Sequence, residues 1–283
     1  MRVTFWGVRG SVPVAGATRF GGNTPCVEVT AEDGTRVILD AGTGIRELGA
    51  AGVDTDGAVQ ILLTHLHLDH IMGLLFFPLF FDPQAEVVVF GPPPDEPDLQ
   101  QRLARYLSAP LSPIEIREMA AKVSFRTAPA EGWWVGPLHI EAATVLHRGP
   151  TLGYCISEGE QSVCYIPDHE PALGGELDTV DTEWISGHNL AHGTSLLIHD
   201  GQFTDDEYAA HLGWGHSSVS DALTFARRTS ADRVVLFHHE PTRDDAGLDA
   251  LETSARDCWE SLGGTAGDVE LAREGRTVHL VDR

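Results

Sequence analysis

The stretch ILLTHLHLDHIMG, residues 61–73, runs from an apolar segment straight into three histidines and an aspartate within six positions. VQILLT, residues 59–64, reads as a buried strand. Alternation beyond it puts His65 and His67 on one side, and the turn that follows brings in Asp69 and His70. Imidazoles and a carboxylate crowded at the exit of a buried strand have the ligand chemistry of Zn²⁺, Mn²⁺ or Fe²⁺.

Four such side chains from one loop cannot all close around one ion without strain, so partners are expected at other strand ends. Three residues qualify: His147 ends IEAATVLH, Asp168 follows SVCYIP, and His238 ends DRVVLFH. Together with the first group they supply enough ligands for two cations about 3.5–4 Å apart that share one carboxylate. His239 directly follows His238 and points elsewhere, so one of the two is expected to ligate.

Outward from this loop, short apolar runs recur at 3–6, 26–30, 36–40, 86–90, 138–145, 152–157, 162–166, 194–199, 233–238 and 277–281. Helices are expected at 44–50, 71–77, 98–107, 217–229 and 245–262. Ser217 or Ser218 is placed to cap the fourth; the fifth repeats Leu248, Leu251, Ala255, Cys258 and Leu262 at helical spacing. Clustered strands, then helices, then strands again predict an α/β fold of two packed sheets flanked by helices. With 283 residues, 42% hydrophobic, and no repeat or low-complexity tract, one domain over 1–283 is expected.

The histidine–aspartate signature H-x-H-x-D-H (His65, His67, Asp69, His70) resembles that of the metallo-β-lactamase superfamily. FWGVRGSVP and GGNTPCVEV, ILDAGTG at 38–44, PDHEP at 167–171 and LIHDGQF…GWGHSS at 197–218 extend the resemblance. They point to the branch of transfer-RNA 3′-end endonucleases and small cyclic phosphodiesterases. The resemblance implies a four-layer αββα sandwich of two mixed sheets. It also implies His65, His67 and His147 on one metal, Asp69, His70 and His238 on the other, and Asp168 bridging. Asp40 would orient the ligand loop from behind by hydrogen bonds or, on its own reading, cap the turn after its strand.

A two-metal hydrolase attacks with water activated between its cations, and Zn²⁺ is the expected metal, with Mn²⁺ or Fe²⁺ as alternatives. The leaving alkoxide still needs a proton. His216 in GWGHSS is the expected donor, oriented by Asp200 in LIHDGQF. In the resembling endonucleases a glutamate stands where Asp200 does, so the reach here is one methylene shorter. His169 and His199 are read as structural or pocket-lining, and His188, His192 and His211 as loop histidines.

Asp and Glu outnumber Lys and Arg 42 to 19, the formal charge is −23, and Lys122 is the only lysine. Such a surface argues against broad nucleic-acid binding. Only 20 residues separate His147 from Asp168, where the resembling endonucleases insert an arm that grips transfer RNA. The expected substrate is therefore a small or cyclic phosphodiester, neutralised by local arginines among Arg9, Arg19, Arg46 and Arg148. Alternatives are hydrolysis of an ester, thioester or lactam, RNA 3′-end cleavage, or a non-enzymatic metal-dependent binding role.

The apolar stretch 74–83 is read as core that can present Phe80 or Phe81 to a pocket, and the Pro-rich then helical segment 92–120 as a surface excursion or a lid. No signal peptide or 18-residue apolar span is evident, and four scattered cysteines suit reduced packing thiols, so a cytoplasmic protein without a membrane partner is expected. Relatives of the resembling kind often form homodimers.

Overall fold

A computed structural model describes residues 1–16, 19–53, 57–94 and 96–280. Its first sheet contains β1 (Arg2–Gly7), β2 (Cys26–Thr30), β3 (Arg36–Leu39), β4 (Ala58–Leu62), β5 (Glu86–Gly91) and β6 (Lys122–Thr127). The second contains β7 (Trp133–Val135), β8 (Leu138–Thr144), β9 (Leu152–Glu158), β10 (Gln161–Ile166), β11 (Leu196–Asp200), β12 (Val234–Phe237) and β13 (Val269–Leu271). The last strand, β14 (Thr277–His279), returns to the first sheet and pairs antiparallel with β1.

The strand orders are β14-β1-β2-β3-β4-β5-β6 and β13-β12-β11-β10-β9-β8-β7. Both sheets are mixed: β3 to β6 are parallel neighbours in one, β10 to β13 in the other, and the remaining pairs are antiparallel.

Alternation along each strand sorts its side chains between two layers. Val37 and Leu39 face the core between the sheets while Ile38 faces outward; Val235 and Phe237 point in while Val234 and Leu236 point out. The inner layer joins Phe5, Val29 and Phe90 to Tyr154, Tyr165 and Phe237, all buried. Fully burying such a side chain contributes about 1.5–3 kcal/mol.

Helices cover both outer faces. On the first sheet lie α1 (Gly44–Ala51), the single turn α2 (Leu68–Ile71) and α3 (Leu99–Ala104). Across the second lie α4 (His188–Ala191), α6 (Val219–Arg228) and α7 (Asp245–Ser261), and α5 (Asp205–His211) follows β11 with no buried residue. Phe225 of α6 and Leu248 and Leu251 of α7 pack on the outward Leu197, Val234 and Leu236. The result is the four-layer αββα sandwich of two mixed sheets, the metallo-β-lactamase fold.

Several expected elements differ. The helix expected over 71–77 is instead α2 followed by two 3₁₀ turns, Leu74–Phe76 and Pro78–Phe81, because Pro78 cannot donate to a continuing helix. Phe80 is 1% exposed in the outer core and so unavailable to a pocket; Phe81 is 41% exposed. The segment 92–120, apart from residue 95, which lies outside the described residues, buries Leu99, Leu103 and Leu107 on the outer face of the first sheet. Tyr106 donates to the Met72 carbonyl just behind α2 (3.0 Å), so this segment is part of the outer layer rather than a lid. No described helix is long and apolar enough to cross a membrane.

Candidate metal centre and its proton donor

Parallel strands deliver their C-terminal ends to the same edge of a sheet, where ligand sites of α/β proteins gather. Here Asp40 follows β3, the H-x-H-x-D-H loop follows β4, Asp168 follows β10, Asp200 ends β11 and His238 follows β12. Asp40 (φ 59°) and His238 (φ 61°) both hold left-handed backbone that non-glycine residues rarely adopt. Such strain at both strand exits is typical of functional sites.

The expected ligands gather in two groups, and a third, Asp168, His216 and His238, overlaps both. His65, His67, His147 and Asp168 each offer a ligand atom within 4.8 Å of the others, as do Asp69, His70 and His238. Asp168 stands between them: Oδ1 lies 3.1 Å from His70 Nε2 and 3.4 Å from His238 Nε2, while Oδ2 lies 3.7 Å from His65 Nε2 and 3.6 Å from His147 Nε2. Asp69 Oδ2 is 3.1 Å from His238 Nε2 and 3.4 Å from His70 Nε2. Ligand atoms about 2.0–2.1 Å from a tetrahedral zinc stand about 3.3–3.4 Å apart, so these spacings suit a small cation in each group.

Two further features fit a cation. His65 Nε2, His70 Nε2 and Asp168 Oδ1 are buried without a hydrogen-bond partner, a costly state unless another ligand satisfies them. The buried carboxylates also lack positive charge. Burial alone would raise the Asp168 carboxyl, yet His238, His70 and His65 hold it well below the usual range. Burial opposes a charged His70, but Asp168, Asp69 and Asp40 outweigh it and push this histidine well above its ordinary value.

Three imidazoles are fixed from behind. His147 Nδ1 donates to the Gly215 carbonyl (2.6 Å), His70 Nδ1 to Asp40 Oδ2 (2.8 Å) and His65 Nδ1 to the Thr64 hydroxyl oxygen (3.0 Å). Each bond leaves Nε2 as the bare nitrogen facing the group. His67 is the exposed member, its Nδ1 3.2 Å from His147 Nε2. Asp40 also accepts from the Thr64 amide and hydroxyl and from Tyr165 Oη (2.9 Å), so it ties the first sheet's ligand loop to a core residue of the second.

Beside the cluster, His216 Nδ1 donates to Asp200 Oδ2 at 2.7 Å and lies 4.0 Å from Asp168 Oδ2. Its ring stacks on His238, centroids 5.0 Å apart. Asp200 also accepts from the amides of His169 (3.1 Å) and Gln202 (3.0 Å), which lock its orientation. Burial pulls the His216 pKa down, but Asp200, with Asp168 and Asp69, outweighs it and raises the group to about 9. One methylene less than glutamate is thus no obstacle to contact.

The remaining histidines sort differently. His169 and His199 are buried and bonded to each other (2.9 Å) beneath Asp200. His239 Nε2 donates to the Ala272 carbonyl (2.9 Å), away from the cluster. His188, read as a loop histidine, opens α4 and is nearly buried.

Among the arginines, Arg9 is fully buried and braces three carbonyls, Gly21, Glu240 and Arg243, which overturns its reading as an anion contact. Arg19 pairs with Asp245 and Asp249, and Arg46 with Glu47. Arg148, beside His147, donates Nε to the Gly213 carbonyl (2.9 Å).

Sequence reasoning missed the Ser11 amide on Asp69 (2.8 Å), Thr64 and Tyr165 on Asp40, and the role of Glu170. The tyrosine's place in SVCYIPD, three residues before Asp168, was the available signal; a main-chain donor such as Ser11 leaves none.

Comparison with known proteins agrees with this geometry. Residues 35–239 match the model of the β-lactamase superfamily domain. The chain is 26% identical over a 321-residue alignment to Ribonuclease Z of Haloarcula marismortui, covering 97% of this chain and 95% of that one. Two solved structures share the fold. Zn²⁺-bound PqqB from Methylobacterium extorquens has a TM-score of 0.71 at 18% identity and covers 99% of this chain and 100% of its own. A diphosphatase of the PhnP family has a TM-score of 0.70 at 16% identity, covering 99% and 98%.

Proposed function

This chain belongs to the β-lactamase superfamily and is a metal-dependent hydrolase, and from that premise we propose that it is a phosphodiesterase acting on a small or cyclic phosphodiester. In this reading two zinc ions would be held by His65, His67 and His147 and by Asp69, His70 and His238, with Asp168 shared between the two groups. Bound there, the ions supply a nucleophile from water at neutral pH and neutralise charge growing on the phosphoryl oxygens.

The single observation that carries the choice of phosphodiester is the Asp200–His216 pair beside the metal groups. An alkoxide leaving a phosphodiester is a strong base and needs a proton as the P–O bond breaks. Asp200 holds Nδ1 of His216 and favours its charged form, so the ring carries a proton for the leaving oxygen through its other nitrogen. Asp69, also given a catalytic part in this reading, acts as an ionised carboxylate: burial would raise its carboxyl, but His70 and His238 keep it ionised, the form a metal ligand needs.

Substrate size follows from charge and loop length. The segment between His147 and Asp168 is the β9–β10 hairpin, turned by two residues, Gly159 and Glu160, with nothing protruding to grip a folded RNA. The charge of −23 repels a polyanion, whereas two cations and Arg148 suffice for one phosphate.

RNA cleavage is the second reading, favoured by the likeness to Ribonuclease Z of Haloarcula marismortui. Parallel assays separate the cases: bis(p-nitrophenyl) phosphate, a cyclic nucleotide, p-nitrophenyl acetate and a transfer-RNA precursor, each with zinc-loaded protein. Turnover of the first two, with slow ester hydrolysis and intact RNA, is the expected pattern. Efficient, salt-sensitive cleavage of the precursor would establish the RNA reading, and preference for the acetate would refute the phosphodiester assignment.

A further inference from the structure

We propose that Glu170 is a positioning residue that sets both the ligand His147 and the proton donor His216 through one glycine, Gly215, a role that rests on the two-metal phosphodiesterase reading above. Glu170 lies two residues beyond Asp168, is 1% exposed, and among the described residues its carboxylate takes its hydrogen bonds from neutral donors and forms no ion pair. A buried carboxylate without a cation is expensive, and this one is held by hydrogen bonds alone.

Those bonds converge on the loop that carries the proton donor. Oε1 accepts from the Gly213 amide (2.8 Å) and the Tyr208 hydroxyl (3.0 Å), and Oε2 accepts from the Gly215 amide (2.8 Å). The Glu170 amide in turn donates to the Leu146 carbonyl (3.0 Å), one residue before His147. The carboxylate therefore ties the loop at 213–216 to the chain that supplies His147.

Gly215 passes the constraint in two directions. Its carbonyl takes the Nδ1 proton of His147 (2.6 Å), which leaves Nε2 bare toward the metal group. The next residue is His216, whose ring reaches Asp200. Gly215 has φ of +90°, and a Cβ there would stand 2.4 Å from His147 Nδ1, so backbone must approach the imidazole directly and only glycine permits it. Among the described residues Gly215 itself is held by two hydrogen bonds, its amide on Glu170 and its carbonyl on His147, while Arg148 on the Gly213 carbonyl and Asp200 on His216 fix the loop to either side. Charge-assisted bonds from a carboxylate to amides are roughly twice as strong as neutral ones, which suits a clamp.

The test is Glu170→Gln, whose amide group must turn an N–H toward one of the loop amides. Two readouts distinguish positioning from a general loss of stability. Zinc affinity, measured by chelator competition, is expected to fall about tenfold, the range seen when a ligand's outer partner is lost. The ratio of kcat for an alkyl phosphodiester to kcat for bis(p-nitrophenyl) phosphate is expected to fall as well, because the poorer leaving group depends more on His216, while KM changes little. Folded Glu170→Gln protein with wild-type zinc affinity and an unchanged ratio would overturn the proposal, whatever its melting temperature. Should that variant not fold, Tyr208→Phe removes one of the bonds to Oε1 and decides by the same readouts: a smaller shift in the same direction supports the proposal, and none overturns it. Zinc affinity needs no substrate, so a chain that fails to cleave phosphodiesters would sink the assigned reaction and leave the Glu170 test standing.

Discussion

At the scale of single residues, Asp200 and His216 show how a weakly reactive group is prepared. Two amides and an imidazole fill the acceptor positions of Asp200, so the carboxylate cannot turn away from His216. In metal-free protein, ¹H–¹⁵N spectra should show His216 keeping its proton to about pH 9, and Asp200→Asn should bring that titration down, since only Asp168 and Asp69 then oppose burial. In loaded enzyme the same substitution should lower kcat by about 10²–10⁴-fold for an alkyl phosphodiester. An unshifted His216 titration in the variant would count against the pair. The proposed ligand residues were legible because each is a metal-type side chain at the end of an apolar run. Glu170 was not, because its partners Gly213 and Gly215 lie 43 and 45 residues further on and contribute only backbone amides.

At the scale of elements, periodicity revealed the interior strands and the edge strand β14 and hid three of the other margin strands. The edge strands β6 and β13 and the short β7 were not anticipated: KVSFRT is half-exposed, and WWV and VEL are three residues each. The helix α7 was anticipated over nearly its whole length, because Leu248, Leu251 and Ala255 form one buried stripe on the second sheet. Leu248 is fully buried there, so Leu248→Ala should cost about 2–5 kcal/mol in chemical unfolding. Zinc stoichiometry in the surviving folded fraction should not change, since α7 supplies no ligand. Ser218 caps α6 by accepting from the Asp221 amide (3.1 Å), which settles the choice between the two serines; Ser217 instead donates to the His169 carbonyl (2.6 Å).

For the whole molecule, the sandwich gives the site its rigidity and the histidines give it a limit in acid. His239 is buried and uncharged, with its pKa lowered to about 3 chiefly by burial, and His169 and His199 are lowered for the same reason. Their folded values lie below those of the unfolded chain. The stability they contribute is therefore present above about pH 6.5 and is lost as pH falls through their lowered values, which for His239 is about 3. Melting temperature should fall between pH 6 and pH 5 in metal-free protein, below the range in which the raised His216 and His70 add stability, and a flat profile there would show that these histidines are protonated in the fold. The two-sheet architecture was legible from the strand runs, while the assignment of 92–120 to the outer layer rather than to a lid depended on Leu99, Leu103 and Leu107 meeting the first sheet.

The most direct measurement is a zinc titration of metal-free protein followed by calorimetry, with bis(p-nitrophenyl) phosphate turnover recorded at each step, on the native chain and on Asp168→Asn. The two-metal account predicts two zinc ions per chain and chelator-reversible turnover that matures with the second ion. It also predicts that the variant, deprived of the shared carboxylate, loses at least one ion and nearly all activity. Full activity with one ion, or two ions bound with undiminished turnover by Asp168→Asn, would contradict it.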